Sequence, residues 1–167
     1  VKKISDGYKR VLCQLATGGG KTVCFAYLIS RYLIKSPSAK VCILVHREEL
    51  LQQTKKTLRS FNIPNVDVQM VETFNNKLKK SSHIHYDLLI IDECHLANFF
   101  KVINQYKDKE TLVLGFSATP KSASKKTPLN GYFQTIVVGT EINKLISMGR
   151  LCPAIHHTPE TEIDTKA

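Results

Sequence analysis

A cluster of glycines followed by lysine and threonine lies between a predicted strand and a predicted helix. The stretch reads Leu15-Ala16-Thr17-Gly18-Gly19-Gly20-Lys21-Thr22. Glycines let backbone N–H groups close around phosphate oxygens, and the amino end of a helix already favours anions. In such a loop we expect Lys21 to reach the β- and γ-phosphates of a nucleotide and the Thr22 hydroxyl to ligate Mg²⁺. The general phosphate-loop pattern has glycine in place of Leu15, so the alternative is a glycine-rich turn that binds nothing, which the strand-to-helix context disfavours.

An acidic pair, Asp92 and Glu93, directly follows the apolar run at residues 88–91. In open parallel sheets, ligands bind at the carboxyl ends of the strands, which would place this pair beside the glycine loop. We expect Asp92 to hold Mg²⁺, directly or through water, and Glu93 to orient and deprotonate the attacking water. An isolated acidic pair is more often a solvated turn, but the upstream loop favours the functional interpretation. Cys94 is interpreted as a residue without chemistry, and His95 taken alone could be a surface residue.

A third polar element, Ser117-Ala118-Thr119-Pro120, also follows an apolar run directly. Such a tetrapeptide on its own is a turn. As the third strand-end element in this order it becomes a candidate part of the same site.

The elements that must position these residues alternate along the chain. Short apolar runs, polar on neither face, are typical of buried parallel strands, and apolar residues at helical spacing predict helices between them. Strands are predicted at residues 11–15, 41–45, 66–71, 88–91, 112–116 and 135–138, and helices at 22–34, 47–61, 96–106 and 141–148. This alternation predicts an α/β fold with a parallel sheet covered on both faces.

Composition sets the broad class of the protein. The chain has 167 residues, of which 43% are hydrophobic and 23% charged, as expected for one globular domain and not for a disordered chain. No apolar run approaches the ~18 residues of a membrane span, and no signal peptide opens the sequence. The five cysteines are an odd number without a Cys-x-x-Cys pair, which favours a reducing, cytoplasmic (intracellular) location and disfavours a structural zinc.

The charge balance is strongly basic. Lys and Arg total 24 against 14 acidic residues, a formal net charge of +10, which favours a polyanionic partner. Nineteen of these 24 residues are Lys. The excess positive charge is therefore expected to be spread over the surface and not to consist of arginines that recognise nucleic-acid bases. His83 and His85 could suggest a metal pair, but without partner ligands a loop is favoured.

The three strand-end elements resemble motifs I, II and III of superfamily 2 helicases, the DEAD/DEAH-box and related motors. Motif II reads Asp-Glu-Cys-His, which disfavours the strict DEAD-box branch, and a non-glycine residue at the head of motif I is common in this superfamily. Residues 45–54 resemble motif Ia, and residues 71–74 with Leu78 resemble motif Ib. Residues 133–153 resemble the end of the first motor domain in the branch that contains RadD and the type III restriction subunits.

This resemblance implies a RecA-like P-loop NTPase fold, three-layered around a mainly parallel central sheet, that uses ATP and Mg²⁺. The resemblance implies that nucleotide is bound by Thr17, Gly18, Gly19, Gly20, Lys21 and Thr22. It implies that Asp92 and Glu93 act on the metal and the attacking water, with Thr22 as a further metal ligand. It also implies that hydrolysis is coupled to domain motion by His95, Ser117 and Thr119, and that the nucleic-acid backbone is contacted by Arg47 and Thr73. For Arg47 a solvated helix start is the alternative.

Motifs IV to VI and the upstream adenine-reading segment of the superfamily are not evident in the sequence. We therefore expect residues 1–153 to be an N-terminally truncated first RecA-like domain and residues 154–167 a linker toward a second one. The expected function is that of the ATP-binding domain of an ATP-dependent DNA helicase or translocase, with nucleic acid as partner and DNA favoured over RNA. An RNA helicase and the motor subunit of a restriction enzyme are the alternatives within the superfamily. A small-molecule kinase or a non-enzymatic binding module are the alternatives outside it.

Overall fold

Six parallel strands form one sheet in the computed structural model, which describes residues 2–80, 84–107, 109–121 and 128–153. Their order across the sheet is β3-β2-β4-β5-β1-β6, and every paired neighbour is parallel. The strands are β1 (Arg10–Gln14), β2 (Val41–Val45), β3 (Val66–Met70), β4 (Leu88–Asp92), β5 (Leu112–Ser117) and β6 (Thr135–Val138). The predicted parallel α/β sheet is confirmed. His83 and the predicted linker at 154–167 lie outside the described residues.

Helices connect the strands and cover both faces of the sheet. They are α1 (Lys2–Ser5), α2 (Lys21–Lys35), α3 (Glu48–Ser60), α4 (Val71–Lys80), α5 (Phe100–Gln105) and α6 (Ile142–Ser147), with 3₁₀ turns at Ala97–Phe99 and Leu129–Gly131. The single helix predicted at 96–106 was wrong in its first turn, which is the 3₁₀ turn before α5. Helix α4 was not predicted, although Val71, Phe74 and Leu78 share one helical face and the first two are fully buried.

The core has two parts, one on each face of the sheet. On one face Phe25 and Ile29 of α2 pack with Ile43, Ile90 and Leu114. On the other face the buried side chains of α4 and α5 pack against the alternate strand residues, among them Phe74, Val102, Ile103, Leu89 and Ile91. All residues of β2, β4 and β5 are buried, and each large aliphatic side chain so buried stabilises the fold by about 1.5–3 kcal/mol. The expected three-layer arrangement is therefore present.

The helices in the described part of the chain are too short or too polar to cross a lipid bilayer.

Because Gly115 has no side chain, strand β5 can pack closely against Phe133 and Cys94. A Cβ added at this position of β5 would lie 2.3 Å from Phe133 Cζ and 2.8 Å from Cys94 Sγ. Gly115→Ala is therefore expected to lower the free energy of unfolding by about 1–3 kcal/mol, because the buried neighbours must shift to admit a methyl group. Urea unfolding followed by circular dichroism measures this change.

The matched control for this prediction is Gly131→Ala, since a Cβ at Gly131 meets no atom within 4 Å. Its unfolding free energy should stay within about 0.5 kcal/mol of the wild-type value, as for ordinary surface substitutions. Equal effects of the two substitutions would contradict the packing argument.

Candidate active site

The three chemical motifs converge because their strands are neighbours in the sheet. Strand β5 lies between β4 and β1, and Asp92 and Gln14 at their carboxyl ends pair with Phe116 and Ser117. Two backbone hydrogen bonds continue the alignment beyond the strands. Leu15 N–H donates to the Ser117 carbonyl at 3.0 Å, and Cys94 N–H donates to the Phe116 carbonyl at 3.0 Å. The sheet edge thus fixes all three loops relative to one another.

The glycine loop turns tightly and leads directly into α2. Gly18 and Gly20 have φ values of +75° and +80°, a left-handed region in which glycine has no steric penalty. Gly19 N–H donates to the Ala16 carbonyl at 2.9 Å, and the Gly20 carbonyl accepts the first α2 hydrogen bond from Cys24 N–H at 3.0 Å. The loop therefore presents its backbone at the amino end of a 15-residue helix, as the sequence predicted for a phosphate-binding loop.

Lys21 lies between the two predicted acidic residues. Its ammonium group forms an ion pair with Glu93 Oε1, and Nζ lies 3.9 Å from Asp92 Oδ1. The three side chains are 12%, 20% and 9% exposed respectively, so these charges are largely removed from water. Burial raises the pKa of Asp92 to about 6, although Lys21 opposes this shift. The negative charge of Asp92 is therefore only partly compensated by the protein.

Glu93 has an unusual backbone conformation, with φ +51°. Among the described residues the other non-glycine positions with positive φ are Asn62 and Asn65, and asparagine tolerates this region. Holding a glutamate there costs about 1–3 kcal/mol, and such strain persists where the surrounding structure fixes it, often at functional sites. No sequence signal predicted this conformation.

The three predicted coupling residues form a chain of contacts that begins at Glu93. His95 Nδ1 lies 3.4 Å from Glu93 Oε2 and 2.9 Å from Ser117 Oγ. The backbone N–H of Thr119 in turn donates to Ser117 Oγ at 3.1 Å. Ser117 is fully buried, so its hydroxyl is held by these two partners. The structure therefore links Lys21, Glu93, His95, Ser117 and Thr119 in one continuous series.

The two predicted nucleic-acid contacts lie further along the same sheet edge. Arg47 precedes α3 at the carboxyl end of β2, and Thr73 is in the first turn of α4, which follows β3 directly. Both residues are exposed. Strands β2 and β3 are adjacent, so the two helix starts lie side by side on the side of the site away from β1. The roles of Arg47 and Thr73 stay predictions, because the structure shows that both side chains are exposed but does not test whether they contact nucleic acid.

His46 is a site residue that the sequence reasoning missed. Its Nδ1 is buried and lacks a hydrogen-bond partner in the part of the chain that the structure describes. Burial lowers the pKa of His46, and the nearby positive charges of Arg47, His95 and Lys21 lower it further, while Glu93 opposes them. A polar residue directly after the fully apolar strand 41–45 was the available signal. It is the pattern that identified Asp92 and Ser117.

The residues present fit a magnesium ion bound together with phosphates. Thr22 and Asp92 supply hydroxyl and carboxylate oxygens, the ligand type that Mg²⁺ prefers, and Asp92 is buried with incomplete charge compensation. Mg²⁺ usually takes one or two protein ligands and completes its shell with substrate phosphates and water. Within the described ranges there is no group of three or more His, Cys, Asp or Glu residues that could hold a metal ion.

Comparison with known proteins identifies the family. The family model described as "Type III restriction enzyme, res subunit" matches residues 1–82 and 62–122, which together are most of the chain. The chain belongs to this family. It is also similar to ATP-dependent helicase IRC3 of Saccharomyces cerevisiae, with 32% identity over 193 residues, 98% of this chain and 28% of that protein. A type I restriction enzyme EcoAI endonuclease subunit of Escherichia coli is 25% identical over 178 residues, 92% of this chain and 22% of that subunit.

The fold of this chain matches that of a solved helicase domain. The crystal structure of the Hef helicase domain of Pyrococcus furiosus superposes with a TM-score of 0.64 at 23% identity, over 79% of this chain and 35% of that chain. The predicted superfamily 2, RecA-like fold is confirmed. The chain spans less than a third of the length of the curated relatives it matches.

Proposed function

We propose that this chain is the ATP-binding domain of an ATP-dependent DNA helicase or translocase, in which hydrolysis drives movement along nucleic acid. The observation that carries the proposal is the continuous series from the loop lysine through Glu93 and His95 to Ser117. The series joins the group that would hold the phosphates to the group that would activate water. It then continues into the loop after β5, which is the arrangement a motor needs to pass the state of the nucleotide to other parts of the protein.

Nucleotide binding would begin with an exchange of partners by Lys21. In the structure Lys21 pairs with Glu93, and its side chain can instead donate to the β- and γ-phosphates above the loop. Backbone N–H groups of residues 17–22 would surround the phosphate oxygens. Thr22 and Asp92 would hold Mg²⁺, which supplies positive charge to the β- and γ-oxygens when it is bound.

Glu93 would act as the general base of hydrolysis. Once Lys21 has turned to the phosphates, Glu93 Oε1 is free to accept a proton from the attacking water. Glu93 Oε2 faces His95 Nδ1, so a change in charge at Glu93 reaches His95 and then Ser117. His95, Ser117 and Thr119 are therefore proposed as the coupling residues.

Nucleic acid would bind at the exposed helix starts that contain Arg47 and Thr73. These helix starts present backbone N–H groups, the Thr73 hydroxyl and the Arg47 cation. Such groups bind the phosphates of nucleic acid and do not distinguish one base from another. The net charge of +10 supports the same partner class. Restriction enzymes act on DNA, so the family and the EcoAI subunit favour DNA, and a restriction motor subunit is the second candidate.

Residues 1–153 are proposed as the first RecA-like domain and residues 154–167 as a linker to a second domain in the same protein. Phosphoryl transfer gains about 10³–10⁵ in rate from an arginine that meets the charge on the γ-phosphate. Arg10 is held at the amino end of β1, where Nε donates to the Tyr132 carbonyl at 2.9 Å. Arg31 and Arg59 lie in the second halves of their helices, away from the site. Arg47 is already proposed to contact nucleic acid, and Arg150 is exposed after α6. The arginine that meets the γ-phosphate is therefore proposed to come from the second domain.

The test of the proposed function is a turnover assay at fixed salt on the 167-residue chain and on a protein that also contains the proposed second domain, called the longer protein below. The chain alone should hydrolyse ATP close to background, and the longer protein should be stimulated by single-stranded nucleic acid, by DNA more than by RNA. Robust stimulation of the chain alone would show that its own Arg47 or Arg150 meets the γ-phosphate. Turnover of the longer protein that ignores nucleic acid would contradict the motor and favour a kinase-type enzyme.

A further inference from the structure

The segment after α6 turns back toward the nucleotide site. We call residues Gly149–Pro153 the exit segment. Gly149 has φ +66° and donates its N–H to the Ile146 carbonyl at 2.9 Å, which ends the helix in a left-handed turn. Arg150 and Leu151 N–H then both donate to the Leu145 carbonyl, at 2.8 and 3.3 Å. These bonds reverse the chain and fix the direction in which Leu151 leaves the helix.

Leu151 packs directly on the glycine loop. Its Cδ2 lies 3.0 Å from the position that a Cβ on Gly18 would occupy, so the methyl group covers the face of Gly18 where a side chain would be. Leu151 is half-buried, whereas its neighbours Arg150 and Cys152 are exposed. Leu151 is therefore the residue that attaches the exit segment to the phosphate-binding loop.

The exit segment is otherwise weakly held. Helix α6 has no fully buried residue, and only Leu145 and Ile146 of this helix are half-buried. A cavity of about 790 Å³ separates α6 from the loop and from the end of β5, with Thr17, Thr119 and Leu151 in its walls. Segments with few buried apolar contacts open at low free energy. The Leu151 contact can therefore form or break without disturbing the sheet.

We propose that Leu151 is a positioning residue for the phosphate-binding loop. Its contact with Gly18 would couple nucleotide binding to the packing of the exit segment on this loop, which we call the seated state of the segment. The inference rests on the proposed nucleotide site. Gly18 is free to adopt many backbone conformations, and only some direct its N–H toward a phosphate. A methyl group packed on Gly18 favours the observed one, so binding energy is not spent on ordering the loop. By linkage, a nucleotide that requires this conformation stabilises the seated exit segment to the same extent.

The first test measures the affinity of the 167-residue chain for a fluorescent ADP analogue with Mg²⁺. Leu151→Ala should weaken binding by about three- to tenfold, because the binding-competent loop becomes a smaller fraction of the population. Leu151→Met should restore binding to within about twofold, since it refills the space over Gly18 with similar volume. Met148→Ala is the matched control from the position just before the exit segment, because this side chain is 57% exposed, and it should bind as the wild type does.

The second test follows tryptic cleavage after Arg150, which is exposed at the start of the contact. Nucleotide should slow this cleavage in the wild type and leave it unchanged in Leu151→Ala, with cleavage after Lys56 of α3 as internal reference. The readout is the ratio of rates with and without nucleotide. A merely structural role would speed cleavage in Leu151→Ala equally under both conditions and would preserve that ratio.

The outcomes separate the inference from the proposed function. A wild-type chain that binds no nucleotide overturns the proposed function and with it the inference. Wild-type binding with equal or tighter binding by Leu151→Ala overturns only the inference, because Leu151 would then be neutral or would obstruct the loop. An unchanged protection ratio in Leu151→Ala overturns the coupling in the same way.

Discussion

Lys21→Ala should strongly lower ATP turnover and weaken nucleotide binding while the protein stays folded. Losing hydrogen bonds from a charged donor to phosphate costs about 1.5–3 kcal/mol, which corresponds to roughly 10- to 150-fold in affinity. Loss of a positioned cation at the reacting phosphate should lower kcat by about 10²–10³-fold. Isothermal titration with ADP and Mg²⁺, and a turnover assay on the longer protein with nucleic acid present, measure the two effects.

Lys35→Ala is the matched control for this substitution, because Lys35 ends the same helix and is exposed. Its affinity and turnover should equal those of the wild type. Thermal unfolding of both variants reports whether the fold survives. A folded Lys21→Ala protein with normal ATPase activity would refute the assignment of the glycine loop.

Glu93→Gln should keep ATP binding and lose hydrolysis. Glutamine preserves the size of the side chain and its capacity for hydrogen bonding, but its amide cannot accept a proton from water. Removal of a general base lowers kcat by about 10²–10⁴-fold. The ion pair with Lys21 is also lost, so Lys21 becomes available to phosphate and ATP affinity should not fall. The expected product is a protein that stays ATP-bound and holds nucleic acid persistently.

The control for the base is Glu110→Gln, an exposed glutamate that pairs only with Lys9 at 3.2 Å among the ion pairs of the described residues. This variant should keep full turnover. Pre-steady-state measurement of phosphate release, with filter binding of single-stranded DNA in ATP, distinguishes a lost base from lost binding. Normal hydrolysis by Glu93→Gln would mean that another group accepts the proton.

The sequence predicted the sheet well because its strands are buried on both faces. The apolar runs at 41–45 and 88–91 could form neither an amphipathic helix nor a half-exposed strand, and both are strands of the central sheet. Helix α4 was missed because its apolar residues are few and its first residue, Val71, continues a strand-like run. The helix predicted at 96–106 was too long, since the chain first makes a 3₁₀ turn after the acidic motif.

The sequence predicted that the candidate residues lie near one another, but not the geometry in which they meet. Motif spacing placed Lys21, Asp92 and Ser117 at strand ends, and adjacency in the sheet brings them together. Two features have no local signal in the sequence: the left-handed conformation of Glu93 and the methyl group of Leu151 over Gly18. For His46 the signal was its place directly after an apolar strand, but the lack of a partner for its Nδ1 among the described residues is seen only in the folded chain. The contact of Leu151 with Gly18 joins residues distant in sequence, which periodicity and spacing do not encode.

The place of β1 within the sheet determines when the site can form during synthesis. Val11 lies opposite Leu114 on one side and Thr135 on the other, so both partners of β1 are made about 100 residues or more after it. At the ribosomal rate of about 5–20 residues per second, β1 and its glycine loop wait about 5–25 s for them. Strands β2 and β3 can pair with each other long before, because 20-odd residues separate them. The strand pairs that hold the glycine loop, β1 with β5 and β1 with β6, should therefore form last during synthesis. Until they form, the apolar strand β1 has no partner, and this is the stage at which chaperones would be needed.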